Sequence, residues 1–457
     1  MVAVSEASLA PRLMAAGSDV PEHVIASARL HLLDALAVGV AAASIGPVSR
    51  LGTLAGRQGA GASTVLGSPQ GSPAPIAALI NGGFIHSLEF DDTHVASVMH
   101  GSSVLAPAAL AVAEETGSSG RSALTAFAIG WELLIRIGLA SPGRIQSQGF
   151  QITSAAGAYA SAAVSCLLHG DSPDVFDNAI GIAGSQAAGT FAFLADGATV
   201  KAVQPAWSAH AGLLAAELAR AGVTGPQAVF DGRYGFFRLY ADDPDGGASL
   251  RLQLADLGSV WRLPEAAFKM QPCCHYIHPF IEALAQLVEN GLTEDNLVAL
   301  HCWVPAETVP IIAEPWAQQQ RPAKGHDARW SLPYVLGAAL RTGALDVRSF
   351  DGPCDIRVME ISDKVSYEPW TGSGFPARFP ARLRAQLSDG TVLESRVDDV
   401  RGGPTRPVAA DDILGKAILN LVAGGMQEGE ANRLADEIVN AVDPDIRRIG
   451  ALLRARS

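Results

Sequence analysis

From about Val20 to Ala221 the chain is a succession of Ala-rich stretches broken by Gly and Pro. They include "VIASARLHLLDALAVGVAA", "SALTAFAIGWELLIRIGLA", "SAAGAYASAAVSCLLHG" and "SAHAGLLAAELARAG". Each keeps apolar residues at the three-to-four spacing of a helix, so each is predicted to be one. Ala and Gly at so many positions let helix axes approach closely. The apolar positions also run round the helices instead of forming one narrow stripe. That pattern belongs to helices buried on most sides, hence to an all-α bundle.

The character changes after about Leu263. "LVALHCWVPA", "CDIRVMEISDKV" and "ARLRAQLSDGTVLESRV" are richer in Val, Ile and alternating polar residues, and Asp389-Gly390 sits between two alternating runs as a hairpin signal. Beyond "RGGPTRP" the helical pattern returns with "ADDILGKAILNLVAGGM" and "EANRLADEIVNAV". The expected class is mainly α: a large helical domain over 1–266, a smaller α+β domain over 267–404, and a helical return over 405–457. A chain of 457 residues accommodates two or three domains.

Hydrophobic residues at 48% against 17% charged exclude a disordered chain. Thirty-three Lys plus Arg against 46 Asp plus Glu leave a net charge of −13, and no basic run is interleaved with aromatics. Nucleic acid is therefore not an expected partner. An anionic ligand would need a few locally placed cations. The N-terminal stretch lacks a basic region followed by an unbroken apolar one, so no signal peptide is expected. Apolar runs such as "ALAVGVAAA" read as too short for a bilayer, so no membrane is expected either. Cys166, Cys273, Cys274, Cys302 and Cys354 form an odd set without zinc-like pairing, which fits a reducing cytoplasm.

Proton-handling groups concentrate in "HSLEFDDTHVASVMHGSS", His86 to Ser103. Glu89, Asp91, Asp92, Thr93, His94 and His100 permit three readings. They could ligate a divalent cation, but no His-x-x-x-His or His-Glu-x-x-His spacing is present, so no metal is expected. Asp and Thr oxygens could simply cap a helix or turn. Or the loop performs acid–base chemistry on a carboxylate substrate, which requires partners elsewhere. "ADGATVKAVQPAWSAHAG" offers Lys201, in a region where lysine is scarce, and "AAFKMQPCCHYIHPF" offers Lys269 and His275. A solvated helix end is the alternative for Lys201, and inert burial the alternative to a nucleophilic Cys273 or Cys274 with His275 or His278 as base. "GAGAST" at Gly59 to Thr64 falls short of a nucleotide motif.

Taken in order, "HSLEFDDTHVASVMHGSSVLAPAALAVAEETG", "TVKAVQPAWSAHAGLLAAELARAGVTGP", "VFDGRYGFFRLY" and "FKMQPCCHYIHP" resemble the MmgE/PrpD family over most of the chain. That family includes 2-methylcitrate dehydratase, cis-aconitate decarboxylase and iminodisuccinate epimerase. The resemblance implies a helical domain built from both chain ends, an inserted α+β lid, a homodimer, and no metal or organic cofactor. It maps the family's site onto Asp91, Asp92, Thr93, His100, Lys201, Lys269 and Tyr334. Two positions depart from it: Glu89 stands where the family usually has Asp, and Gln151 of "SQGFQITSAAG" stands where it commonly has His.

The chemistry shared by such enzymes makes or breaks a bond to a carbon beside a carboxylate, which needs positive charge near that carboxylate and a proton-transfer group. We assign the charge to Lys201 and Lys269 and the proton transfer to His100. Thr93 and Tyr334 serve as relays, and Asp91 or Glu89 orients the imidazole. Glu89, Asp92, His94, Gln151 and His275 are assigned to binding a small polycarboxylate. The leading expectation is a cofactor-independent lyase of the dehydratase type. An epimerase or decarboxylase, or a silent metabolite-binding member, is the alternative. Gln151 carries no charge, which predicts poor conversion of cis-aconitate and preference for another dicarboxylate.

Overall fold

The computed structural model describes residues 8–195 and 197–454, so the first seven residues of the stretch read for a leader, and Asp196 ahead of Lys201, lie outside the described residues. The chain divides into two compact units. The first comprises 1–87, 91–267 and 409–457, and the second 88–90 and 268–408. The sequence offered no sign that Leu88–Phe90 would join the second unit.

The first unit is helical, as the three-to-four spacing predicts. Its main helices are α1 (Glu22–Ile45), α2 (Ala74–Ser87), α3 (Ser102–Thr116), α4 (Gly120–Ala140), α5 (Ile152–His169) and α6 (Val200–Arg220). Helix α5 packs along both α4 and α6, and α2 lies against α3 and α6. Small residues set these distances: a Cβ on Gly212 of α6 would stand 2.0 Å from Ser161 Oγ and 2.3 Å from the Ala158 carbonyl of α5. Ser161 Oγ donates across the same seam to the Ser208 carbonyl (2.8 Å), so the close approach also satisfies a buried hydroxyl.

One expectation needs correction. Helices α1, α4 and α5 are each long and apolar enough to cross a membrane by length and composition. The apolar runs look short only because Gly, Ser and single charges interrupt them. In the fold, 83–89% of each apolar window is buried inside the unit, so the protein interior solvates it.

The second unit begins with Leu88–Phe90 and resumes at Phe268. Helices α7 (His278–Glu289) and α8 (Leu332–Thr342) accompany a four-stranded sheet of β1 (Leu297–Pro305), β2 (Val365–Trp370), β3 (Ala381–Leu387) and β4 (Val392–Val397). The order is β2-β1-β3-β4, with β2 parallel to β1 and the other pairs antiparallel. Residues of β3 alternate between buried and accessible, and Asp389-Gly390 turns β3 into β4 with Gly390 at φ +88°. Helix α7 packs on β3 and β4, forming one apolar core with Phe280, Leu284, Leu300 and Leu383.

The C-terminal return belongs to the first unit, with α9 (Ala410–Ala423) packed on α1. Inside that contact Lys416 Nζ reaches both oxygens of Asp34 at 2.8 and 2.9 Å, and both residues are buried. Burial pushes the Asp34 carboxyl up to about 6 even with the ammonium beside it. Removing one partner strands the other, so Lys416→Ala should destabilise by about 3–5 kcal/mol, whereas Asp34→Leu with Lys416→Met should return to within about 1 kcal/mol of wild type or exceed it. Urea midpoints of the three proteins check this.

Candidate functional site

The loop after α2 is shaped by its own backbone. His94 and Met99 form an antiparallel bridge (His94 N to Met99 O, 2.8 Å), closed by a turn with Val98 at φ +56°. Residues flanking such a bridge become cross-strand neighbours, which is how Thr93 and His100 meet. On its other side Thr93 exchanges backbone hydrogen bonds with Ala267 at 2.8 and 2.9 Å.

His100 Nδ1 lies 3.1 Å from Thr93 Oγ1, 3.1 Å from the Asp92 carbonyl and 3.8 Å from Asp91 Oδ2. A carbonyl only accepts, so Nδ1 carries the proton and the lone pair of the neutral ring falls on Nε2. The His100 backbone amide donates to Thr153 Oγ1 in the first turn of α5 (3.0 Å). The His100 side chain keeps 16% of its surface, while Asp91 is fully enclosed.

Asp91 is held by His86, the penultimate residue of α2, whose Nδ1 donates to Asp91 Oδ2 (2.8 Å). His86 Nε2 therefore accepts, and the Gln151 amide supplies the donor at 3.2 Å. Gln151 is the N-terminal cap position of α5, and its Oε1 is buried without a hydrogen-bond partner among the described residues. The rings of His86 and His100 meet edge to face, 5.0 Å between centroids.

Asp92, next in the chain, turns the other way. His31 Nδ1 of α1 donates to its Oδ2 (2.6 Å), and the Ser102 amide (3.2 Å) and hydroxyl donate to its two oxygens. His94 is a strut: its Nδ1 accepts from the Ser97 amide (3.2 Å) and its Nε2 donates toward Glu265 (3.4 Å). The hydrogen bond from His94 holds the Glu265 carboxyl below its usual range.

The structure thus gathers Asp91, Asp92, Thr93, His94, His100 and Gln151 in the first unit. Lys201, second residue of α6, is half-buried one turn ahead of Gln204, whose carbonyl accepts from Ser154 Oγ of α5 (2.7 Å). The remaining candidates belong to the second unit. Lys269 is buried there, with Nζ 3.2 Å from the Glu89 carbonyl and 3.7 Å from its carboxylate. Glu89 holds a left-handed backbone (φ +53°), uncommon for a residue with a side chain. Tyr334 is buried near the start of α8. Its hydroxyl accepts from the Asp355 amide (2.9 Å), and burial pushes its pKa up to about 12. His275 is buried between the rings of His278 and Phe379. Burial raises the Cys273 thiol well above its usual range, which suits an inert cysteine. A surface cavity of about 460 Å³ in the second unit contains none of the candidates, and two of its arginines already face acids: Arg406 forks onto Glu282 and Arg396 meets Asp398.

Sequence reasoning left out His86, His31, Ser102 and Thr153. A signal existed for the first two: His86 stands five residues before Asp91, and His31 with Asp34 are polar groups inside a stretch predicted to be buried on most sides.

Residues 14–247 match the MmgE/PrpD N-terminal domain and residues 272–441 the MmgE/PrpD C-terminal domain. The chain belongs to the MmgE/PrpD family. It is 29% identical over 457 residues to the cis-aconitate decarboxylase-like protein oryM of Aspergillus oryzae, covering 95% of this chain and 94% of the relative. Identity is also 29% to the cis-aconitate decarboxylase of Aspergillus terreus over 449 residues (94% and 91%) and to that of Homo sapiens over 364 residues (77% and 73%).

Ligand atoms of His86, Asp91 and His100 lie within 4.8 Å of one another, a donor set able to hold a metal ion. These groups already have protein partners, however: His86 uses one nitrogen on Asp91 and the other on Gln151, while His100 Nδ1 faces Thr93 and Asp92. Turnover should therefore stay within about twofold after exhaustive chelation, a factor of two being well under 1 kcal/mol. Stoichiometric metal by elemental analysis, with activity lost on its removal, would overturn this.

Proposed function

We propose that the protein is a cofactor-independent lyase that decarboxylates a small polycarboxylate, with His100 as the proton-transfer group. One observation carries the reading. Within the first unit an imidazole with 16% exposure is backed at Nδ1 by a hydroxyl, a carbonyl and an enclosed carboxylate, so Nε2 is the atom that exchanges a proton. The names of the relatives support decarboxylation over the other reactions of the family.

In such a reaction the bond between carbon and the departing carboxylate breaks and CO₂ leaves. The electron pair spreads toward a remaining carboxylate, and a proton from His100 Nε2 completes the product. Asp91, near Nδ1, stabilises the imidazolium that must form first. Lys201 and the N-terminal ends of α3 and α5, to which the His100 loop is tied, contribute positive potential for the anionic substrate. Gln151 supplies an uncharged amide at its position, so the preferred substrate is a polycarboxylate other than cis-aconitate.

The second reading is a dehydratase, in which neutral His100 accepts the proton at Nε2, the nitrogen opposite the Nδ1–H that faces the Asp92 carbonyl. Products separate the two. Citrate, 2-methylcitrate, malate, cis-aconitate and amino-dicarboxylates are incubated with the protein in deuterated water and followed by NMR. Decarboxylation yields a product with one carboxylate fewer and solvent deuterium on carbon; dehydration keeps every carboxylate. Ligand-induced stabilisation without either product would identify a binding protein.

Two substitutions test the assignments. His100→Ala should lower kcat by roughly 10²–10⁴. Gln151→His should raise cis-aconitate turnover by about tenfold, the equivalent of one added charge-assisted hydrogen bond. Unchanged cis-aconitate kinetics in Gln151→His would remove Gln151 from substrate selection.

A further inference from the structure

Behind the reactive loop lies a wall of buried polar groups for which proton transfer itself has no use. His31, Asp34 and Asp92 are each no more than 1% exposed, and the first two occupy one face of α1, three residues apart. Placing them in an Ala-rich helix costs desolvation at every group, so their contacts show what that cost maintains.

The Asp92 contacts converge on His100. Its carboxylate takes the Ser102 amide on one oxygen and the Ser102 hydroxyl on the other, two residues beyond His100, and its own carbonyl accepts from His100 Nδ1. His31 is the group that holds this carboxylate from behind, at 2.6 Å. Between His100 and Ser102 stands Gly101, where a Cβ would lie 2.6 Å from the Trp131 ring, and Trp131 in turn packs against His31 with centroids 5.9 Å apart. The loop is therefore clamped on two sides by neighbouring side chains of α1 and α4. Lys416 of the C-terminal return binds Asp34 one turn along α1, offsetting a negative charge that would otherwise repel Asp92.

We infer that His31 is a positioning residue for His100: by donating from Nδ1 to Asp92 it sets the orientation of the imidazole whose Nε2 exchanges the proton. This rests on the reading of His100 as the proton-transfer group.

The test uses two variants of similar polarity. His31→Asn keeps a donor at the place of Nδ1, whereas His31→Gln moves it outward by one carbon. Gln is also the better helix former, so a role in α1 alone would favour Gln. We expect His31→Gln to lower kcat by about tenfold to a hundredfold, the consequence of a displacement on the order of 1 Å, with KM within about twofold. It should also increase deuterium uptake in peptides spanning 91–104. His31→Asn should match wild type in both readouts. Equal behaviour of the two variants, or unchanged exchange in 91–104 for His31→Gln, overturns the inference. Because amide exchange needs no substrate, the clamp is tested even if wild-type protein turns over none of the polycarboxylates. That result would fault the proposed reaction and not the role of His31.

Discussion

The carboxylate of Asp92 is the constraint from which the rest of the helical unit's site follows. A charge with almost no access to water must be met by donors on every side, because an unmet ionised group in a low-dielectric interior costs several kcal/mol. Asp92 finds His31 on α1 and the amide and hydroxyl of Ser102 at the start of α3. Those donors hold two helices and one loop in a single arrangement. The orientation of His100, its tautomer and its contact with Thr93 follow from that arrangement.

The neighbouring carboxylates illustrate how environment separates like groups. Asp91 and Asp92 are adjacent in the chain and both buried, yet one is bound by the end of α2 through His86 and the other by the middle of α1 through His31. Each of these two imidazoles is held as a donor at Nδ1, so the two acids do not compete for the same hydrogen bond. Glu89, two residues earlier, has a different partner again, Lys269 in the second unit. A stretch of four residues thus carries three acids, with Glu89 beside Lys269, Asp91 beside His86 and Asp92 beside His31.

Gln151 ties the start of α5 to the end of α2. Its amide must donate to His86 because the other ring nitrogen is committed to Asp91, and this leaves Oε1 without a partner among the described residues. The mixed α+β unit shows the same economy at the level of packing, with β3 alternating strictly between core and surface.

Much of this was legible in the linear chain. Helical spacing identifies α1 and α4–α6 because burial of an apolar surface depends on a period that sequence displays directly. The Asp389-Gly390 hairpin is legible because few residues accept its backbone, and the cluster from His86 to His100 is legible as chemistry because its residue types are rare in a small, apolar context. Partners distant in sequence were not legible. His31 meets Asp92 across 61 positions, Lys416 meets Asp34 across 382, and Gln151 meets His86 across 65. A side chain's local sequence specifies what it can donate or accept, whereas which group it meets is decided only when helices pack and water is excluded. The sequence by itself determined a helical bundle carrying an acid–imidazole loop and an α+β unit. The tertiary structure alone decided which imidazole faces which acid, because that choice is made by the requirement that every buried charge be satisfied in one shared interior.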